Sequence, residues 1–225
     1  MKKTEKKKEQ IKYKEILESE KPLVAEEPAL TYPVKRYSYA DYLTWTDDVM
    51  REIIDGVVYA FSAPVRKHAG VVITFLKRAL AYIDKRKGKG KCKIYTAPFD
   101  VRFPKDGETA DNKIFDVVQP DIIVVCDPSK LDDKGCIGAP DLIVEAISPS
   151  TSKRDLNLKF SLYEKHGVKE YWVVYPNDEA VTVFLLQENG KYDDGKTHQV
   201  LYGATHVPVH TLEGLIIDLK ELFED

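Results

Sequence analysis

Three side chains far apart in the numbering have the types and settings for divalent-metal chemistry. Asp121 closes Gln119-Pro120-Asp121, directly ahead of the apolar run Ile122–Val125. Glu145 sits inside a second apolar run, 142–147, which is otherwise Leu, Ile, Val, Ala and Ile. Lys159 follows on a helix-like segment, before a third apolar run at 171–175. Two carboxylates can hold Mg²⁺ (or Mn²⁺), neutralise a phosphate and lower the pKa of a bound water. A lysine beside them can orient the attacking water or stabilise the charge that develops. That combination suits hydrolysis of a phosphodiester.

The elements around these residues must bring them together. Side chains alternate along a strand, so Glu145 shares a face with Ile143 and Ile147 while Leu142, Val144 and Ala146 take the other. Both faces are apolar, as in a strand covered on both sides. An ionised carboxylate there is costly unless a cation or charged hydrogen bonds compensate it. The following segment opens with Ser152-x-x-Asp155, close to a capping box, and predicts a helix over 152–166. On it Asp155, Lys159 and Tyr163 stack at four-residue spacing, with Leu156, Phe160 and Tyr163 facing the core. Each residue also has a structural alternative. Asp121 could be a strand-start or turn residue, Glu145 half of an ion pair with Lys159 or Arg154, and Lys159 a solvated helix lysine.

Around this centre the pattern predicts a helix over 67–85, a strand over 93–103 bulged near Pro98, strands at 120–126 and 141–147, and a strand at 169–175. Strand, helix and strand in succession read as a parallel crossover, and the whole as an α/β protein with a central mixed sheet flanked by helices. Upstream, Ser38 caps a short helix through Trp45 with Tyr39, Tyr42 and Leu43 on its apolar side, and Asp55-Gly56 marks a hairpin. Downstream come a strand at 180–186, a turn at Asn189-Gly190, a partner strand at 199–202 and a terminal segment at 215–223. Residues 1–36 read as a charged tail and proline-bearing linker, and 37–225 as one domain. The basic run 86–91 is either a phosphate-contacting loop or a solvated helix end.

Composition narrows the class. A chain of 225 residues, 43% hydrophobic and 32% charged, suits one domain with a sizeable core. No apolar run approaches the roughly 18–20 residues of a membrane span, and the charged N-terminal stretch lacks an apolar signal region, so the expectation is a cytoplasmic protein. A net charge of −3 argues against a passive nucleic-acid coat. The odd set Cys92, Cys126 and Cys136, without CxxC spacing, argues against a disulfide framework or thiolate zinc site. His206 and His210 have a zinc-like helical spacing, but Pro208 between them implies extended chain.

The order of these motifs resembles a known family. Gln119-Pro120-Asp121, then 144–151 around Glu145, then Asp155, Lys159 and Tyr163, then Gly167-Val168-Lys169-Glu170-Tyr171-Trp172, is similar to the Uma-two branch of the PD-(D/E)XK phosphodiesterase superfamily. Glu52-Ile53-Ile54-Asp55-Gly56, His68 and the ending Leu215-Ile216-Ile217-Asp218-Leu219 match as well, so the likeness spans about residues 37–223. The resemblance implies a restriction-endonuclease-like αβββαβ core and a metal-dependent endonuclease acting on DNA. It also implies Asp121 and Glu145 as metal ligands, Lys159 as the catalytic lysine and Glu52 as a further acid at the site. One departure stands out: the superfamily's usual lysine lies two residues after the glutamate, where this chain has Ile147. Two other functions compete: a catalytically inactive nucleic-acid-binding or regulatory protein on the same fold, and a two-carboxylate glycosidase. Cutting both strands with one site per chain implies a homodimer.

Overall fold

The computed structural model describes residues 35–61, 64–85, 92–147, 152–203 and 205–224, with the backbone alone for 152–155. In chain order, α1 (Tyr39–Tyr42) precedes the hairpin β1 (Arg51–Ile54) and β2 (Val57–Ala60). Then α2 (Arg66–Lys85) leads to β3 (Lys93–Thr96), β4 (Val101–Arg102), β5 (Val117–Val118) and β6 (Ile122–Val125). The small hairpin β7 (Leu131–Asp132) and β8 (Gly135–Ile137) precedes β9 (Leu142–Ala146), α3 (Ser152–His166) and β10 (Glu170–Tyr175). The chain continues through β11 (Ala180–Leu185), β12 (Lys196–Gln199), β13 (His206–Val209), β14 (Leu215–Asp218) and α4 (Leu219–Leu222).

The core sheet has the order β12-β11-β10-β9-β6-β3. Its middle pair, β9 and β10, is parallel and joined by the crossover helix α3, while β6 runs antiparallel to both β3 and β9. Every residue of β6 and β9 is buried, which explains their unbroken apolar runs. On one face Ile122, Val124, Leu142, Val144 and Trp172 pack against Val71, Phe75 and Ala79 of α2. Trp172 and Phe75 meet edge to face at 5.4 Å. On the other face Ile123, Val125, Ile143, Tyr171 and Val173 pack against Leu162 and Tyr163 of α3. The element order from α2 through β3, β6, β9, α3 and β10 is the expected αβββαβ core.

A second sheet, β2-β1-β5-β4-β8-β7, lies beside this core and is built from the upstream hairpin β1–β2 and from the insertions that precede β6 and β9. Its first hairpin turns at Asp55 (φ 49°) and Gly56 (φ 79°), the paired left-handed conformations of a type I′ turn. A Cβ on Gly56 would stand 2.7 Å from Arg36 Cβ, so that position needs glycine on two counts.

Three expectations give way. The single strand over 93–103 divides, because β3 joins the core sheet and β4 pairs with β5 and β8 in the other. The strand that pairs with β11 on its outer side is 196–199; of the expected segment 199–202 only Gln199 pairs, with Ala180, and Val200–Tyr202 is a 3₁₀ turn. Cys92 and Cys126 form a disulfide. They flank β3 and β6, whose register pairs Lys93 with Val125 and so sets the two cysteines opposite each other. Register, not spacing along the chain, creates that pair. The basic run 86–91, residues 148–151 and residues 1–34 lie outside the described residues, as do the side chains of the Ser152/Asp155 box.

Glu170 shows how the last ribbon is fastened. Its carboxylate, 1% exposed, accepts Trp172 Nε1 at 2.7 Å and the amides of His210 and Thr211 at 3.0 and 2.6 Å. Glu170→Ala strands the buried Trp172 indole donor and two part-buried amides, and is expected to lower unfolding free energy by about 2 kcal/mol, read from urea midpoints. A loss below about 1 kcal/mol would mean the ribbon docks by apolar contact alone.

Candidate active site

The register of β6 against β9 brings the two acids of the sequence pattern together. Ile122 pairs with Val144 and Ile123 with Ile143, so one step further along the antiparallel ladder sets Asp121 opposite Glu145. Asp121 Oδ2 accepts the Ala146 amide at 2.7 Å, which closes the ladder where Pro120 supplies no donor.

Lys159 reaches the same place from α3. Its Nζ lies 2.9 Å from Glu145 Oε1 and 2.9 Å from Glu52 Oε1, with the lysine side chain 15% and both glutamates 8% exposed. One helical turn on, the Tyr163 hydroxyl donates to Glu145 Oε1 at 2.6 Å. Glu52 comes from β1 of the second sheet, and its Oε1 also accepts the Gln119 amide at 2.9 Å. The Gln119 side chain is tied in turn, since its Nε2 donates to Asp100 Oδ1 at 2.8 Å and to the Tyr42 hydroxyl at 3.0 Å. Tyr39 holds the other Asp100 oxygen at 2.9 Å. His68, in the first turn of α2, arrives from the opposite face of the sheet, with Nε2 3.1 Å from Asp121 Oδ2. Its Nδ1 is buried with no partner among the described residues.

The structure therefore gathers all four expected site residues, Glu52, Asp121, Glu145 and Lys159, with His68 beside them. What spacing does not reveal is the polar support from Gln119, Asp100, Tyr39 and Tyr42. The two tyrosines read as the apolar side of α1, yet both hydroxyls point to Asp100. Their partners lie about sixty residues or more away along the chain, so no local signal marks them.

Burial pushes the Glu145 carboxyl up from 4.5 to about 7, helped by the charges of Asp121 and Glu52 and opposed by Lys159 and the Tyr163 hydrogen bond. Burial alone would lower Lys159, but Glu145 and Glu52 more than offset it, and the amine stays protonated. The Tyr163 hydroxyl, held well up by burial and by Glu145, stays a donor. For His68 burial acts downward, and the bond to Asp121 reverses it to a net rise.

Both upward shifts mean tighter proton binding in the folded than in the unfolded chain, so stability falls as pH rises. The Glu145 contribution is fully present below 4.5 and lost as pH passes about 7; that of His68 is present below 6.5 and lost above it. The thermal midpoint is expected to rise on going from about pH 8 to about pH 6. Glu145→Gln should remove most of that slope, and adding His68→Asn the remainder. An unaltered slope in the double variant would mean that other groups govern it.

For a divalent metal the donor set is small. Among the described residues no group of three or more His, Cys, Asp or Glu side chains converges as a metal cage. Asp121 and Glu145 each still have one oxygen, Oδ1 and Oε2, without a hydrogen bond among the described residues. Mg²⁺ typically takes one or two protein carboxylates and fills its shell with waters and substrate phosphate oxygens. Two hard oxygen donors on adjacent strands fit that habit.

Comparison with known proteins agrees with this core. The model of the Uma2 family, described as "Putative restriction endonuclease", matches residues 39–220. An uncharacterized protein of Synechocystis, slr1290, is 25% identical over 175 residues, covering 77% of this chain and 83% of that protein. The crystal structure of "a putative nuclease belonging to DUF820" from Anabaena variabilis superposes with a TM-score of 0.61 at 20% identity, covering 83% of this chain and 97% of the other. The fold is shared with that nuclease-like structure.

Proposed function

Because the chain belongs to the Uma2 family of restriction endonuclease-like proteins, we propose that it is a metal-dependent endonuclease that hydrolyses phosphodiester bonds in DNA. The observation that carries this reading is one ammonium, Lys159, shared by two buried carboxylates beside the cross-strand pair Asp121 and Glu145. Asp121 and Glu145 would hold Mg²⁺ or Mn²⁺, which when bound supplies charge neutralisation at the phosphate and a more acidic water. The chain's own groups do the rest. Lys159 presents a permanent positive charge where negative charge develops on the phosphoryl oxygens, and it can orient the attacking water. Tyr163 and Lys159 both hold Glu145 Oε1, which leaves Oε2 as the oxygen for the cation. His68 holds Asp121 Oδ2 and leaves Oδ1 in the same role.

A glycosidase needs an acid and a second carboxylate separated by about 5 Å or more across a sugar. Here Glu52 and Glu145 are tied through one ammonium, which suits phosphate better. The competing reading of an inactive nucleic-acid binder draws on Ile147 at the usual lysine position and on the two-carboxylate donor set. We place the protein in the cytoplasm, and no described helix is long and apolar enough to cross a membrane. Double-strand cutting would use a homodimer.

Incubating the purified protein with supercoiled plasmid and Mg²⁺ or Mn²⁺ tests the proposal. Nicked and linear product that disappears with EDTA is expected. Salt-sensitive DNA binding without product under either metal would favour the binding protein instead.

A further inference from the structure

Glu52 lies in a different sheet from the Asp121–Glu145 pair and meets it through the lysine. A lysine on a helix carries a flexible four-carbon stem, and ordering its ammonium requires fixed partners. Lys159 has two carboxylate partners at the same 2.9 Å, Glu145 Oε1 and Glu52 Oε1. Glu145 is aimed by its own strand and by Tyr163. Glu52 is aimed by different means, because the oxygen that takes the lysine also takes the Gln119 amide at 2.9 Å. That amide is rigidly placed. Pro120 follows it, and its side chain is fastened to Asp100 and Tyr42. Segment 119–121 thus carries both the acid that faces Glu145 and the donor that fixes the lysine's second anchor.

We propose that Glu52 is a positioning residue that acts through Lys159: held by the Gln119 amide, it fixes the ammonium between the two sheets and does not bind the metal. The inference rests on the endonuclease reading for its kinetic consequence, and on the geometry alone for the rest. If Glu52 works this way, a neutral acceptor of the same shape replaces much of it. Glu52→Gln keeps a carbonyl oxygen for both Lys159 and the Gln119 amide, whereas Glu52→Ala removes the anchor.

Three readouts on the full-length protein separate the possibilities: Mn²⁺ affinity by calorimetry without DNA, kcat and KM for plasmid cleavage, and the ¹⁵Nζ resonance of Lys159 by NMR. Mn²⁺ affinity is expected to stay within about twofold of wild type in both variants. In Glu52→Ala, kcat should fall about 10–100-fold with KM for DNA unchanged, and Glu52→Gln should recover most of it. The Lys159 resonance, sharp in the wild type, should shift in Glu52→Gln and broaden away in Glu52→Ala. A loss of Mn²⁺ affinity of about tenfold or more in Glu52→Gln would make Glu52 a ligand and overturn the proposal. So would a folded Glu52→Ala with wild-type kcat. Should Glu52→Ala fail to fold, Glu52→Gln decides alone: an unmoved Lys159 resonance there refutes the anchoring. Absence of cleavage by the wild type would defeat the endonuclease reading, while the Mn²⁺ and NMR readouts would still judge Glu52.

Discussion

Glu145→Gln is expected to lower metal-dependent DNA cleavage by about 10³-fold or more while the protein stays folded. The substitution keeps the side chain's shape. Its amide oxygen can still accept from Lys159 and Tyr163, which both meet Oε1. What disappears is the negative charge, and with it one of the two anionic donors proposed for the cation. Stability should hold or rise near neutral pH and above, because burial already opposes ionisation of this carboxyl. The check is a single-turnover cleavage assay paired with a melting curve on the same sample. Activity within about tenfold of wild type would remove Glu145 from the chemistry.

Lys159→Met has the largest expected effect on the fold itself. The ammonium compensates two carboxylates whose side chains are each 8% exposed. Removing one partner of a buried ion pair typically costs about 3–5 kcal/mol, because the charge left behind has lost both water and its counterion. Methionine roughly fills the stem's volume, so the loss would report charge and not a cavity. Two further outcomes identify the cause. The destabilisation should shrink in acid, where Glu145 takes up a proton, and it should be largely reversed by adding Glu52→Gln and Glu145→Gln. Urea denaturation of wild type, Lys159→Met and the triple variant at two pH values reads both. A Lys159→Met protein as stable as wild type would show that these carboxylates find compensation elsewhere.

Much of this arrangement was legible in the chain. The apolar runs at β6, β9 and β10 announce buried strands because a strand covered on both faces has no polar face to show. A lone acid in such a run signals that something must compensate it. The four-residue step from Lys159 to Tyr163 places both on one side of α3, and both meet the same Glu145 oxygen. The illegible parts depend on register and on sheet exchange. Pro98 marks a local irregularity, but nothing in the sequence shows that the chain there leaves one sheet for the other, which is why 93–103 reads as one bulged strand. Nothing local pairs Cys92 with Cys126 either, since their opposition follows from β3 meeting β6. The same holds for the Gln119–Asp100–Tyr42 support, whose members become neighbours only once the second sheet packs beside the core.

Endonuclease activity as proposed requires a divalent ion to sit between Asp121 and Glu145 with the Lys159 amine alongside. Anomalous diffraction from a crystal soaked in Mn²⁺ tests this most directly. The expected result is one strong peak within coordination distance of both Asp121 Oδ1 and Glu145 Oε2, absent from a Glu145→Gln crystal soaked in the same way. A peak bound elsewhere, with none between these two carboxylates, would contradict it.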